Sequence, residues 1–146
     1  MTRKSKDDQA VEALFARYID AWNARDYACI ANDVYRTPVY VFDAAATSIL
    51  ATPDEIVGLL AGLRADLDAA GFSHSLLDHV STCDLGDGLM FATFHYRRIF
   101  RTEAGGEKDD LLASAYIVRR YPDGWHMVAH VFQAIPSEFS CAPRKL

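Results

Sequence analysis

The order of elements predicts an α+β domain: a cone in which a strongly curved antiparallel sheet wraps around N-terminal helices. Three observations carry this. Apolar residues recur at helical spacing in two early segments, from Val11 to Trp22 and from Ile56 to Leu67. After Gly71 the apolar period changes to two and stays there through four strand-like runs. Those runs are long, so they must bend to enclose the helices, and helices can cover only one sheet face.

The first helix reads from about Asp8, with Val11, Leu14, Phe15, Tyr18, Ile19 and Trp22 on one face and Asp7 or Asp8 as its cap. Asp26 is placed to cap a second, shorter helix reaching about Asp33. Pro38 then opens a β-branched and aromatic strand, Val39 to Asp43. Thr52-Pro-Asp-Glu55 starts the third helix: Thr52 caps, Pro53 suits the first helical position, and Glu55 completes a capping box. Ile56, Leu59, Leu60, Leu63 and Leu67 form its apolar stripe and Gly71 stops it. Strands are expected over Phe72–Leu85, Leu89–Thr102, Leu111–Tyr121 and Trp125–Ala134, with turns at Gly86-Asp-Gly88, Glu103–Asp110 and Pro122-Asp-Gly124. The organisation is thus a flexible N-terminus over 1–8, one domain over 9–136 and a tail over 137–146.

Composition narrows the function. At 146 residues and 51% hydrophobic, the chain can bury a full core, and disorder is excluded. No apolar run approaches the roughly 20 residues of a membrane span. A formal net charge of −5 argues against a nucleic-acid surface. Cys29, Cys83 and Cys141 are an odd set without metal-ribbon spacing, and the charged N-terminus has no signal-peptide core; together these predict a cytoplasmic protein. His126 and His130 have an H-x-x-x-H spacing, but on a strand four residues span about 13 Å, too far for one zinc. No metal and no cofactor are expected, and Gly105-Gly106 precedes no helix that could cradle a phosphate.

Ala16-Arg-Tyr-Ile-Asp-Ala-Trp-Asn-Ala-Arg-Asp26 resembles the opening helix of ketosteroid isomerases, and Tyr121-Pro-Asp-Gly-Trp-His-Met-Val128 resembles the last hairpin of many SnoaL-like proteins. With the element order, from about Gln9 to Pro136, the chain resembles the SnoaL-like branch of the nuclear transport factor 2 (NTF2)-like superfamily. That resemblance implies the cone fold, but the superfamily hosts isomerases, dehydratases, cyclases and non-catalytic binders alike. It places a functional tyrosine at Tyr18 and a base near Asp43, one residue farther from the tyrosine than in the isomerases. Ungapped comparison with the isomerases also turns Thr93, His95 and Arg97 toward the cavity, leaving Phe94, Tyr96 and Phe100 for a subunit interface. The isomerase pattern wants a second acid in the Leu111–Tyr121 run; none stands there, so a steroid-isomerase assignment is rejected.

Tyr18, Asp43 and His95 are therefore the catalytic candidates. Asp43, at the rim of an apolar cavity, is expected to have a raised pKa, and His95 to exchange protons near neutral pH. Phe15, Trp22, Thr93, Arg97, Tyr116 and Gln133 are the candidate substrate contacts. Whether the Gln133 or the His130 face of the last strand looks inward stays open at this point. The expected function is cofactor-independent acid/base proton transfer on a small hydrophobic molecule, of isomerase, lyase or hydratase type. The alternatives are a non-catalytic binding module or an assembly domain with a vestigial pocket. A homo-oligomer, a dimer first, is expected to cover the outer sheet face.

Overall fold

In the computed structural model, which describes residues 4–133, 135–137, 139 and 141, the first helix, α1, spans Lys6–Asn23. Ser5 caps it: its hydroxyl accepts from the Asp8 amide and the Asp8 carboxylate accepts from the Ser5 amide, a reciprocal box that displaces Asp7 and Asp8 as the expected caps. The helix thus begins earlier than expected, with residues 6–8 in its first turn. Residues 1–3 of the expected N-terminal segment, Ala134 of the expected last strand and most of the expected tail lie outside the described residues. Asp26 caps α2 (Tyr27–Cys29) through the Cys29 amide at 3.1 Å. A π-helical turn, Ile30–Val34, continues α2 into β1.

β1 runs Tyr35–Phe42, beginning before Pro38 rather than at it, and a short strand, β2 (Thr47–Leu50), returns beside it. The sequence carries little signal for β2, which has only four residues and is mostly exposed. Thr52 and Pro53 open α3 (Pro53–Ala69) as read, but Glu55 reaches back to the Ala51 amide at 2.6 Å rather than to that of Thr52. Four long strands follow: β3 (Phe72–Gly86), β4 (Leu89–Arg101), β5 (Glu107–Tyr121) and β6 (Gly124–Phe132).

The six strands form one curved, unclosed sheet in the order β2-β1-β6-β5-β4-β3. It is mixed: every neighbouring pair is antiparallel except β1 and β6, which run parallel and are separated in the chain by α3 and four strands. The apolar face of α1 lies in the concavity. Phe15, with no exposed surface, stacks on Phe94 at 5.0 Å and meets Tyr116 edge-on at 5.2 Å. Burying a ring of that size contributes about 1.5–3 kcal/mol.

Two polar clamps close the wide end. The Asn23 side chain accepts from the Ser75 amide at 2.8 Å and donates to the Ser75 carbonyl at 2.9 Å, pairing with β3 as a strand would. Arg64, buried on α3, donates to the Trp22 carbonyl and to Asp68, and lies over the Trp22 and Phe72 rings. The periodic reading of α3 missed this residue, because a charged side chain interrupts the apolar stripe it belongs to.

Gly71 links α3 to β3 at φ +91°, its carbonyl accepting from the Arg101 amide at 2.8 Å. A Cβ there would sit 2.7 Å from the Arg101 carbonyl oxygen, a backbone atom that cannot step aside. Gly71→Ala therefore combines a positive-φ penalty with a clash, and should lower unfolding free energy by at least about 1 kcal/mol in urea titration. A midpoint equal to that of the wild type would contradict it.

Candidate functional site

Residues of α1, α3 and all six strands enclose a cavity of about 300 Å³ on the concave side of the sheet. Its walls are apolar: Ile19, Val39, Val41, Leu50, Ile56, Leu60 and Leu63, with Leu59 half-exposed on α3. Leu59 belongs to the expected buried stripe; here it contributes to the cavity lining instead. Aromatic residues Trp22, Phe94 and Phe132 add to the walls. Against this surface stand a small set of polar groups: Tyr18, Tyr35, Tyr96, Tyr116, Ser75, Arg98, His130 and Asp43.

Tyr18, Tyr35 and Tyr116 line one part of the cavity, close enough for each phenol to influence the ionisation of the others. Burial raises the phenol pKa of all three, well above the ordinary value for Tyr18 and Tyr116 and to about 12 for Tyr35. The difference follows from their mutual influence: the neighbouring Tyr18 and Tyr116 hydroxyls favour the ionised form of Tyr35, and Tyr35 disfavours theirs. Tyr35 is therefore the most acidic of the three.

His130 stacks face to face on Tyr116 at 4.5 Å and leans on Phe132. Its Nε2 is buried without a protein partner, and burial lowers its pKa to about 4. The ring is therefore neutral at neutral pH. Arg98 follows Tyr96 by two residues on β4 and so shares its face; its guanidinium carbon lies 5.7 Å from the Tyr96 ring centroid, and its Nε is also buried and unpartnered.

The expected site residues separate into those inside and those outside. Tyr18, Trp22 and Tyr116 line the cavity. Phe15 is core beneath it. Thr93, His95 and Arg97 are on the opposite face, a correction of the expected orientation: Phe94 packs on Phe15, which turns Phe94, Tyr96 and Arg98 inward and every alternate residue outward. His95 instead stacks on His79 at 4.3 Å, and Arg97 pairs with Asp109 at 2.8 Å. Phe94 and Tyr96, expected at a subunit interface, are cavity walls.

Asp43 reaches the rim, but it is exposed and its Oδ1 accepts from the Ala45 and Ala46 amides, each at 2.8 Å. These bonds lower its pKa, reversing the expected rise. On β6 the His130 face looks inward. Gln133 lies beside a second, shallower groove that shares Asp43 and Phe132 with the rim. Among the described residues no cluster of metal-ligating side chains occurs, and His126 is engaged by Asp123 at 2.9 Å and Arg36 at 3.1 Å, away from His130. No helix of the described residues is long and apolar enough to cross a membrane.

A family profile described as NTF2-like protein (DUF6841) matches residues 6–134. The chain belongs to this NTF2-like family. Solved structures agree on the fold. An NTF2-like protein with a cystatin-like fold from Novosphingobium aromaticivorans superposes with a TM-score of 0.71 at 20% identity, covering 86% of this chain and 80% of that one. ActVI-ORFA from Streptomyces coelicolor gives 0.66 at 14% identity, over 83% of this chain and 91% of that one. An NTF2-like superfamily protein from Salmonella enterica gives 0.64 at 13%, over 90% and 92%. At these identities the likeness of this NTF2-like chain to them is one of fold. No curated protein matches it in sequence.

The burial of His130 makes stability pH-dependent. Unfolded, the ring binds a proton below about pH 6.5; folded, it resists until about 4. The unfolded state thus takes up the proton first, and stability falls as pH drops through that window, by roughly 3 kcal/mol in full. Urea unfolding at pH 7.5 and 5.5 should show a loss of roughly 1 kcal/mol that His130→Phe abolishes. The same loss in the variant would refute this origin.

Proposed function

We propose that this NTF2-like protein is a cofactor-independent enzyme that moves a proton on a small hydrophobic, oxygen-bearing molecule. The single observation that carries this reading is the placement of Tyr35, the most acidic of three buried phenols, and of His130, neutral and with an unpartnered Nε2, in the lining of one apolar cavity. His130 accepts a proton from a carbon next to a carbonyl. Tyr35, flanked by Tyr18 and Tyr116, donates to the carbonyl oxygen as negative charge develops there. A base with a pKa of about 4 is weak at rest, but the growing enolate charge raises its proton affinity as transfer proceeds. Return of the proton at another carbon gives isomerisation; loss of a β-substituent gives elimination.

This reading keeps Tyr18 and Tyr116 as supports of the donor, keeps Trp22 as a wall, and moves the base from Asp43 or His95 to His130. The cavity volume favours a site for a small molecule over an assembly domain with a vestigial pocket. We also propose a cytoplasmic protein, in keeping with three cysteines that form no disulfide.

The reaction class can be tested by NMR in D₂O with cyclic ketones such as 2-tetralone. Wild-type protein should accelerate deuterium uptake at the carbon beside the carbonyl, and His130→Phe or Tyr35→Phe should lose about tenfold or more of that rate. Ketones that bind without exchanging would make the protein a binding module instead.

For assembly, we propose a homodimer through the outer sheet face. Leu76, Arg97 and Leu111 align across β3, β4 and β5 there, and the two leucines are 48% and 44% exposed. Light scattering should give twice the 16.3 kDa chain mass, and Leu111→Glu should give the monomer. A monomeric wild type would end this proposal.

A further inference from the structure

The geometry points to a hydrophobic carboxylate as the molecule in the cavity, with Arg98 as the group that holds its carboxylate; this rests on the pocket reading above and names its ligand class. Three lining residues can carry charge: Asp43, His130 and Arg98. The Asp43 carboxylate is turned to its own loop, accepting from the Ala45 and Ala46 amides at the rim. His130 is neutral. Arg98 is left as a cation in an apolar enclosure.

Its isolation is specific. Arg17, Arg25, Arg36, Arg64, Arg97 and Arg120 each have a carboxylate partner, and Arg101 and Arg119 are exposed to water. Arg98 is part-buried and, among the described residues, makes no hydrogen bond or ion pair; its Nε finds no acceptor. The acid best placed to compensate it is Asp110, opposite it on β5, yet that carboxylate lies 3.8 Å from Lys108. On β3 the residue opposite is Ser75, which brings no charge.

A guanidinium presents a planar fork of donors that matches the two oxygens of a carboxylate. Partly withdrawn from water, it gains more from a full negative charge than from a neutral carbonyl dipole. Arg98 also lies close enough to Tyr18 to favour its ionised form, so the cation and the hydroxyl cluster act on the same part of the cavity. The remainder is hydrocarbon wall, and about 300 Å³ is the low end for small-molecule sites, suited to a body of one or two rings.

Isothermal titration calorimetry at pH 7.5 with 2-naphthoate and 2-naphthamide, which share a ring system and differ in charge, reads the inference directly. Wild type should bind the carboxylate at least tenfold more tightly than the amide. Arg98→Met should abolish that preference while changing amide affinity less than threefold, and Arg98→Lys should keep part of it. Independently of the Met variant, the Arg98 Nε–H resonance of the wild type should shift with naphthoate and not with naphthamide. Equal binding of the two compounds, or a tenfold preference surviving in Arg98→Met, overturns the carboxylate assignment and leaves the pocket reading standing. Failure of wild type to bind either compound overturns both.

Discussion

The contact on which the molecule depends is the seating of Phe15 against Phe94 and Tyr116. It sets the depth of α1 in the sheet, and everything polar in the cavity is measured from it. Tyr18 is one turn beyond Phe15 on the same helix face, so its ring meets that of Tyr35 edge-on only when the helix sits at that depth. Phe94 decides which half of β4 looks inward, because a strand cannot turn one residue without turning all of them. The Asn23 and Arg64 clamps then hold the far end of α1 against β3 and α3, so that the helix can neither slide nor tilt out of the concavity.

That arrangement accounts for what could and could not be read from the sequence. The helices, the long meander and the curved α+β fold were legible, since period and length report them directly. Strand alternation on β4 was legible too: Thr93, His95 and Arg97 do share a face, and Phe94, Tyr96 and Arg98 the other. Which face looks inward was not, because the choice rests on Phe15, more than seventy residues away in sequence. Carrying an orientation over from a distant relative without gaps inverted it, and with it went the expected roles of His95 and Arg97. Tyr35 was missed for a local reason. It precedes Pro38, which reads as a strand opening, so it was left outside the strand that in fact begins with it.

The site also shows how environment, rather than residue type, sets chemistry. Asp43 is a carboxylate at the mouth of an apolar cavity, the setting in which a pKa is expected to rise. Two backbone amides outweigh that effect and hold it ionised. His130 is an imidazole in a protein rich in carboxylates, yet none of them contributes to its shift, and burial alone keeps it uncharged. Three tyrosines of one chemistry differ in acidity because the two neighbours of Tyr35 favour its ionised form while it disfavours theirs.

These groups bear on whether the cavity is only a receptacle. Apolar walls suffice to bind an apolar molecule, and filling the space with more leucine would have made a more stable core. The fold instead carries a buried Arg98 Nε and a buried His130 Nε2 without protein partners. Each such atom costs about 1–3 kcal/mol of desolvation. It also carries three buried phenols, of which Tyr35 is the most acidic. Departures of this kind from the rule that buried polar groups are paired concentrate where a ligand completes the pairing. Of the seven such atoms among the described residues, those of Ser75, Arg98 and His130 belong to the lining of this cavity and those of Thr93, His95, His126 and Gln133 lie elsewhere; with the phenols, the lining brings together an imidazole, a hydroxyl and a cation. A molecule that engaged all three would have its charge held, its oxygen polarised and a proton within reach of a base, which is the minimum that enolisation requires.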